Sequence, residues 1–253
     1  MPKPVLITEI LRRADTGVSV NPFLCRTEDG RQIYVKPAGT LSSSLVSEWL
    51  GSRLAAEMRL PVAAFTLVDV PVKLVQAVIG IETSGLSPGI GFGSYDVGHG
   101  SRDMEPGDLE RVPELVLSEV LAFDLWIQNA DRCLTQQGGN PNVVIEAYQN
   151  DLFLIDHDNA FDPDFSAEEL CGTHLGWRQR SHWLDATERE IWESKAKAAL
   201  EKVPTFWEEL PELWRNADLG SVANPTLDLD LLLAMLGKLE EDLDSFWKTI
   251  ISS

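Results

Sequence analysis

Cysteine is scarce in this sequence, and positive charge is outnumbered by negative charge. The chain of 253 residues has three cysteines, Cys25, Cys133 and Cys171, at wide spacing that fits neither a disulfide framework nor a four-ligand zinc site. Its 21 lysines and arginines stand against 40 aspartates and glutamates, which gives a formal net charge of -19. Because binding to nucleic acid depends on cationic side chains that replace phosphate counterions, this balance argues against unaided DNA or RNA binding.

Long apolar runs are missing as well. Nowhere do about 18 apolar residues follow one another without a charge, so the sequence predicts no segment that spans a bilayer. The N-terminal stretch MPKPVLITEILRRADTG has no apolar run before a small-residue cleavage site, and we therefore expect no ordinary signal peptide. We expect a cytoplasmic protein, in a reducing compartment, that binds neither nucleic acid nor a membrane directly.

Residues 1–83 are predicted to form a sheet that includes one helix. Two short apolar stretches in residues 20–37 flank an Asp-Gly step, which is a strong signal for a β-hairpin. Residues 45–60 repeat apolar side chains at threes and fours, which is the period of an amphipathic helix. Two more strands are predicted from the β-branched, apolar runs VAAFTLVDV and VKLVQAVIG.

Residues 84–253 are predicted to be mainly helical. They begin with SGLSPGIGFGSYDVGHG, whose six glycines and one proline favour a linker or mobile loop over a regular element. The segment ELVLSEVLAFDLWIQ is apolar enough for a buried helix, and VVIEAYQNDLFLID is typical of a second hairpin. From residue 166 onward the apolar positions recur at helical spacing.

A lysine and a glutamate form the first cluster with chemical meaning. Lys36 ends a predicted strand, and Glu48 follows twelve residues later on the next predicted helix. Protein kinases hold the α- and β-phosphates of ATP with a strand lysine that pairs with a helix glutamate. Taken alone, Lys36 would be an ordinary strand-end lysine, and Glu48 a residue that favours a helix N-terminus. Their order along the chain favours the functional interpretation.

Two further clusters follow in the order that a kinase requires. The motif NADR, with Asp131, precedes Asn140-Pro-Asn142 and a predicted strand. In kinases an aspartate in such a loop orients the attacking hydroxyl, and an asparagine nearby ligates magnesium. The motif LIDHD places Asp156 directly after an apolar strand, where a carboxylate can hold the metal that bridges the phosphates. Asp158 is its rival, because alternate residues of a strand point to the same face and both carboxylates could approach one metal.

The order of these segments resembles the HipA-like kinase family, specifically its compact members. The last two motifs are also similar to those of the phosphatidylinositol 3-/4-kinases. The resemblance implies an α+β, two-lobed protein-kinase-like fold. A small β-rich nucleotide-binding lobe would span residues 1–83, and a larger, mainly helical catalytic lobe would span residues 84–253. The segments that resemble the family are TGVSVNP, DGRQIYVKP, SEWLGSRLAAEMRLPV, NADR with NPNVVI, and LFLIDHDNAF.

The resemblance also implies how ATP would be bound. A loop with Gly17, Val18 and Ser19 would cover the nucleotide, and its backbone amides would face the phosphates. Lys36 would contact the α- and β-phosphates, and Glu48 would position Lys36.

The remaining implied roles concern catalysis and the metal. Asp131 would be the catalytic aspartate, and Asn142 and Asp156 would ligate Mg²⁺. The family usually has histidine where this chain has Cys133, and the spacing from Asp131 to the asparagine is longer here. Asn140 is therefore an alternative ligand to Asn142, since its amide oxygen could coordinate equally well.

The expected function is an ATP- and Mg²⁺-dependent phosphotransferase, by resemblance a serine/threonine protein kinase. The expected partners are ATP, a protein substrate and, as an open question, an antitoxin-like protein. A small-molecule or phosphoinositide kinase is one alternative, although a net charge of -19 opposes docking on an anionic membrane. A catalytically inactive nucleotide-binding scaffold is another, prompted by Cys133 and the longer spacing.

Overall fold

The computed structural model describes residues 1–14, 22–78, 84–98, 100–146, 151–216 and 227–251. The structure is a mixed α+β arrangement, in which a closed barrel of strands is followed by a mainly helical region. In the described ranges, no helix is both long enough and apolar enough to cross a membrane.

The barrel has five strands: β1 (Val5–Arg13), β2 (Phe23–Thr27), β3 (Gln32–Lys36), β4 (Phe65–Val70) and β5 (Gly89–Tyr95). They close in the order β1-β2-β3-β5-β4, and β1 and β4 are the parallel pair among antiparallel neighbours. The first predicted hairpin is confirmed as β2 and β3, which pair Phe23 with Val35 and Cys25 with Ile33. These four side chains, with others from β1 and β4, form the apolar interior of the barrel.

The predicted helix is confirmed as α1 (Ser42–Glu57), but its amphipathic character is not, because residues 45–52 are all buried and the burial is not confined to one face. Its apolar side chains, including Leu45, Trp49, Leu50 and Leu54, belong to the larger core of the molecule, which they share with the C-terminal helices. The helix therefore joins the barrel to the helical region. The position of α1 places the Glu48 side chain beside Lys36 at the end of β3.

The second strand, predicted in residues 72–80, is wrong for residues 72–78, the part that the structure describes. A short helix, α2 (Val72–Ala77), lies there, and none of its residues is buried. Pro71 precedes it, and the Pro71 carbonyl accepts hydrogen bonds from Leu74 N and Val75 N. Proline suits a helix start because its φ is fixed near the helical value, and a short apolar run does not by itself distinguish a strand from a helix.

The prediction of a linker in the glycine-rich segment is wrong for residues 89–95, which form β5. β5 pairs with both β3 and β4 and closes the barrel. A Cβ atom on Gly91 would lie 2.5 Å from the Lys36 carbonyl oxygen, and one on Gly93 would lie 2.6 Å from Ile33 Cδ1. The glycines are needed because neighbouring atoms approach the strand too closely for a side chain.

The predicted buried helix and the second hairpin are both confirmed. The helix is α3 (Glu114–Trp126), and the hairpin consists of β7 (Val143–Ile145) and β8 (Leu152–Leu154). The short strand β6 (Arg102–Asp103) pairs with β7 and completes a three-stranded antiparallel sheet. The loop that contains the NADR motif follows α3, and its Arg132 bonds to the carbonyls of Asn142, just before β7, and of Ile155, just after β8.

From residue 166 onward the described residues are mainly helical, as the apolar pattern predicts. Trp183 lies at the centre of their core, with its ring centroid 4.9 Å from that of Trp247 and 6.3 Å from that of Trp192. The Trp183 and Trp192 rings pack edge to face and the Trp183 and Trp247 rings are tilted by 36°, and such aromatic contacts contribute to the stability of a core. The helices are α4 (Ala167–Leu170), a 3-10 helix (Trp177–Leu184), α5 (Ala186–Leu200), α6 (Val203–Glu208), α7 (Glu212–Asn216), α8 (Leu229–Glu241) and α9 (Leu243–Ile251).

Candidate active site

Lys36 lies at the centre of a group of carboxylates. It is the last residue of β3, and only 6% of it is exposed. Its Nζ is 2.6 Å from Glu48 Oε2, 2.6 Å from Asp156 Oδ1 and 2.9 Å from Asp158 Oδ2. We call these four residues the lysine cluster. Four side chains singled out in the sequence therefore meet at one point, although 120 positions separate Lys36 from Asp156.

Three elements bring the lysine cluster together. β3 ends at Lys36, α1 presents Glu48, and the loop after β8 contributes both aspartates. The second oxygen of Glu48, Oε1, accepts a hydrogen bond from His157 N at 3.1 Å. One carboxylate thus joins the barrel lysine to the backbone of the aspartate loop, and it is almost completely buried.

The lysine cluster has three carboxylates for one ammonium group, and this imbalance displaces its pKa values. Burial would lower the pKa of Lys36, but the three carboxylates outweigh burial and hold it well above its usual value. Burial raises the pKa of Glu48 to about 7, and Asp156 and Asp158 add to that rise against the opposing pull of Lys36. Burial raises the pKa of Asp158 to about 6. At Asp156, Lys36 outweighs burial and lowers the pKa to about 2.

Asp156 does not continue the strand that precedes it. β8 ends at Leu154, and the φ of Asp156 is 58°, in the left-handed region. The strand argument for a shared face is therefore wrong, although Asp156 and Asp158 both reach Lys36. His157 between them is buried and packs its ring against Phe123, with the centroids 6.1 Å apart. Burial, with the nearby charge of Arg132, lowers the pKa of His157 to about 3.

Asp131 is held by three asparagine amides. Its Oδ2 accepts hydrogen bonds from Asn140 Nδ2 at 3.1 Å, from Asn142 Nδ2 at 3.0 Å and from Asn159 Nδ2 at 3.0 Å. Within the described part of the chain, no donor contacts Oδ1. Asp131 is half-buried, and the three amides all bond to the same one of its two oxygens. Sequence reasoning missed Asn159, whose only signal was its place directly after LIDHD.

Asn142 connects Asp131 to the lysine cluster. The Asn142 carbonyl accepts a hydrogen bond at 3.0 Å from the backbone N of Ile155, the residue before Asp156. The φ of Asn142 is 47°, also in the left-handed region. Asn140 bonds instead with Cys133, whose N donates to the Asn140 carbonyl at 2.9 Å. These backbone contacts favour Asn142 over Asn140 as the partner of Asp156.

A second buried polar group lies behind the NADR loop. Asp124 of α3 accepts hydrogen bonds on Oδ2 from Arg132 Nε at 2.8 Å and from His174 Nε2 at 2.9 Å. Its Oδ1 accepts from Asn129 Nδ2 at 3.1 Å. We call these four residues the aspartate cluster. Sequence reasoning missed Asp124 and His174, although a carboxylate inside an apolar helix was a usable signal, because a buried carboxylate needs partners.

Gly17, Val18 and Ser19, predicted to cover the nucleotide, lie outside the described residues. The strands on either side of their segment are described. Phe23 pairs with Val35, so β2 begins beside the end of β3 at which the lysine cluster lies.

The carboxylates of the lysine cluster have the spacing of a cation site. One oxygen from each of Glu48, Asp156 and Asp158 lies within 4.8 Å of the others. Carboxylate oxygens are the ligands that Mg²⁺ prefers. No other group of three or more acidic, histidine or cysteine ligands in the described ranges meets this spacing. Asn142, the other predicted ligand, contacts Asp131 rather than these carboxylates.

Comparison with known proteins identifies the family. The family model described as HipA-like kinase matches residues 7–250, and no curated relative matches the sequence. A solved structure of a Helicobacter pylori proinflammatory kinase, CtkA, is 8% identical, covers 99% of this chain and 98% of its own, and has a TM-score of 0.49. A Golgi casein kinase structure is 13% identical, covers 98% of this chain and 73% of its own, and has a TM-score of 0.48.

Proposed function

The chain belongs to the HipA-like kinase family, a family of kinase-like phosphotransferases, and we propose that it transfers the γ-phosphoryl group of ATP to a serine or threonine hydroxyl. The strongest support is the lysine cluster, in which Lys36 Nζ lies 2.6 Å from both Glu48 and Asp156. A strand lysine, a helix glutamate and a carboxylate after a strand then lie together as phosphoryl transfer requires.

In this proposal Lys36 binds the α- and β-phosphates, and Glu48 holds it in place. Glu48 suits the task because it is buried and also bonds to the backbone N of His157, so it cannot turn away from Lys36 without losing that bond. Asp158 also contacts Lys36, and it is more exposed than Glu48, with 19% of its side chain accessible. We expect Asp158 to give up its contact when phosphate oxygens take its place.

The charge of the lysine cluster fits a divalent cation. Three carboxylates and one ammonium group leave an excess of two negative charges when all are ionised. Asp156 and Asn142 would hold Mg²⁺, with Asp158 as a further carboxylate in reach. Mg²⁺ held by these residues would supply positive charge that offsets the negative charge of the phosphates.

Asp131 is the proposed catalytic aspartate. Its Oδ2 is occupied by the amides of Asn140, Asn142 and Asn159, so Oδ1 is left to accept a hydrogen bond from the attacking hydroxyl. The three amides fix the carboxylate plane, and positioning of this kind supplies much of the rate enhancement in phosphoryl transfer. Asp131 then orients the hydroxyl and accepts its proton as the phosphoryl group is transferred.

The wider organisation is proposed on the same basis. A nucleotide-binding lobe at residues 1–83 and a catalytic, helical lobe at residues 84–253 would enclose the cleft, with β5 returning from the second part to complete the barrel of the first. Gly17, Val18 and Ser19 would cover the phosphates. A protein is the proposed substrate, and the net charge of -19 suits a basic substrate or an antitoxin-like partner with a basic surface.

The test is phosphoryl transfer from γ-labelled ATP with Mg²⁺, comparing wild type with Asp131→Ala. Protein substrates, lipids and small hydroxyl compounds are offered as separate acceptors. We expect label on serine or threonine of protein that falls by about 10²–10⁴-fold in the variant, because general-base catalysis has that size. ATP should still raise the melting temperature of Asp131→Ala, since Lys36 and Asp156 are intact.

Asp164→Ala is the matched control, because Asp164 is an exposed aspartate outside both clusters. It should label substrates as the wild type does. Equal labelling by wild type and Asp131→Ala would contradict the assignment of Asp131. Label on lipid or on small compounds alone would replace the protein-kinase proposal with the corresponding acceptor class, and ATP binding without any labelling would favour an inactive scaffold.

A further inference from the structure

Arg132, the residue after Asp131, contacts every segment of the proposed catalytic apparatus in the C-terminal part of the chain. It is completely buried. Its Nη1 donates one hydrogen bond to the Asn142 carbonyl and another, at 3.2 Å, to the Ile155 carbonyl. Ile155 precedes Asp156. One nitrogen of Arg132 therefore lies where the Asn142 segment and the Asp156 segment meet.

The other side of the guanidinium is fixed by Asp124. Arg132 Nε donates to Asp124 Oδ2 at 2.8 Å, and both side chains are completely buried. His174 and Asn129 satisfy the remaining acceptor capacity of the carboxylate. The Nδ1 of His174 accepts from Gly176 N at 3.0 Å, so its Nε2 has the proton and donates to Asp124. Arg132 is thus held in one orientation by a rigid helix.

The two segments that Arg132 joins both contain a residue with an unfavourable backbone conformation. Asn142 and Asp156 both have left-handed φ angles, 47° and 58°. Such backbone costs free energy and persists only where surrounding contacts determine it. The contacts at this point are the hydrogen bond from Ile155 N to the Asn142 carbonyl and the two hydrogen bonds from Arg132.

We infer that Arg132, oriented by Asp124, is a positioning residue that sets the distance between Asn142 and Asp156 and fixes both relative to Asp131. The inference rests on the proposed function, because it concerns the residues proposed there as metal ligands. Arg132 is completely buried, so it would contact neither the nucleotide nor the metal. It acts through the two backbone carbonyls, and Asp124 acts through Arg132.

Arg132→Lys is the informative substitution. Lysine keeps a positive charge beside Asp124, but a single ammonium group cannot bond to the carboxylate on one side and to two carbonyls on the other as the planar guanidinium does. Arg132 Nη2 has no hydrogen-bond partner in the described ranges, so lysine loses nothing there. We expect the variant to fold and the two ligand segments to lose their fixed spacing.

The experiment measures metal binding and catalysis separately. Mn²⁺ binding in the presence of ADP is followed by electron paramagnetic resonance, and kcat and the KM for ATP are measured with Mg²⁺. Changes in residues that support metal ligands typically cost about 10–100-fold in metal affinity or activity, and we expect losses of this size in Mn²⁺ affinity and kcat for Arg132→Lys. The KM for ATP should change less, because Lys36 and Glu48 are unaltered.

Arg53→Lys is the matched control. Arg53 also pairs with a carboxylate, donating from Nη2 to Glu209 Oε1 at 3.0 Å, but it lies on the far part of α1 and contacts neither ligand segment. It should keep the Mn²⁺ affinity and kcat of the wild type, whatever its effect on the melting temperature. Circular dichroism and thermal melting report folding for every variant.

The outcomes separate this inference from the proposed function. A lower melting temperature with unchanged Mn²⁺ affinity and unchanged kcat would make Arg132 a purely structural residue and overturn the inference. If Arg132→Lys does not fold, Asp124→Asn replaces it, because asparagine keeps the volume and an acceptor for Arg132, and the same losses are expected. A wild type that binds Mn²⁺ with ADP but transfers no phosphate refutes the proposed function alone. A wild type that binds no Mn²⁺ refutes the inference.

Discussion

The molecule contains two buried groups of charges that differ in their balance. The lysine cluster surrounds Lys36 with three carboxylates, whereas the aspartate cluster surrounds Asp124 with Arg132 and two neutral donors. In the aspartate cluster the pKa of Asp124 is lowered, because Arg132 and His174 together outweigh burial. In the lysine cluster, burial and like charge raise the pKa of both Glu48 and Asp158.

The difference separates a scaffold from a binding site. A balanced buried group has its charges satisfied by the protein, so it gains nothing from a ligand and its loss costs stability. An unbalanced group stores repulsion that a bound cation can relieve, and displaced pKa values of this kind cluster at functional sites. The number of buried carboxylates in a cluster therefore predicts little until the number of neighbouring cations is known.

The largest expected effect is on stability, in the balanced group. Asp124→Ala leaves Arg132 as a buried charge without its partner, and breaking a buried pair in this way costs about 3–5 kcal/mol. Urea denaturation measures the free energy of unfolding. Glu209→Ala is the control, because the Arg53–Glu209 pair is partly exposed and such pairs contribute about 0.2–1 kcal/mol. Equal losses in the two variants would contradict the assignment of Asp124 to the scaffold.

The next effect is on activity, in the unbalanced group. Asp156→Asn removes a proposed metal ligand, and loss of one electrostatic contact to the reacting groups costs about 10²–10³-fold in kcat. Its free energy of unfolding should stay near that of the wild type, since Lys36 keeps Glu48 and Asp158. Asp124→Ala should lose stability, whereas Asp156→Asn should lose activity and keep its stability. A large loss of stability in Asp156→Asn, with activity retained, would reverse the roles of the two clusters.

Sequence reasoning could predict the residues whose signals are local. The hairpin pattern places Lys36 at a strand end, and the helical period places Glu48 on a helix only twelve residues later. The apolar strand before Asp156 marks that residue. The helices of the C-terminal part show the same local periodicity. These elements can be predicted because the local preferences of neighbouring residues are consistent with the native fold.

The missed features depend on contacts between distant parts of the chain. The glycines Gly91 and Gly93 are typical of a linker in the sequence alone. Only the structure shows that atoms of β3 and β4 lie too close to them for a side chain. The role of Asn159 depends on Asp131, which is 28 positions away. Gly17, Val18 and Ser19 lie outside the described residues, and their roles stay predictions. Asp124 had a local signal, but its partner His174 lies 50 positions further along the chain, beyond the reach of any local pattern.

The smallest expected effect is a pH dependence of the free energy of unfolding. It reports the repulsion among the carboxylates of the lysine cluster. The native pKa of Asp158 is raised from 3.8 to about 6 and that of Glu48 from 4.5 to about 7. The native state then binds more protons than the unfolded state in these windows, so both groups make stability fall as pH rises from about 4 to 7. His157 has the opposite sign, because its pKa is lowered from 6.5 to about 3 and its contribution to stability rises with pH.

Asp158→Asn separates the contribution of Asp158 from that of His157. Because His157 is present in both proteins, its contribution cancels when the free energy of unfolding of the variant is compared with that of the wild type. At pH 4 the two proteins should be about equally stable, since Asp158 is protonated in the wild type. At pH 8, without divalent cations, the variant should be more stable by on the order of 1 kcal/mol, since one unit of pKa corresponds to about 1.4 kcal/mol. Asp151→Asn, an exposed change on the surface, should show no such trend. A constant difference from pH 4 to 8 would mean that Lys36 already balances its neighbours, and the contrast between the two clusters would then be lost.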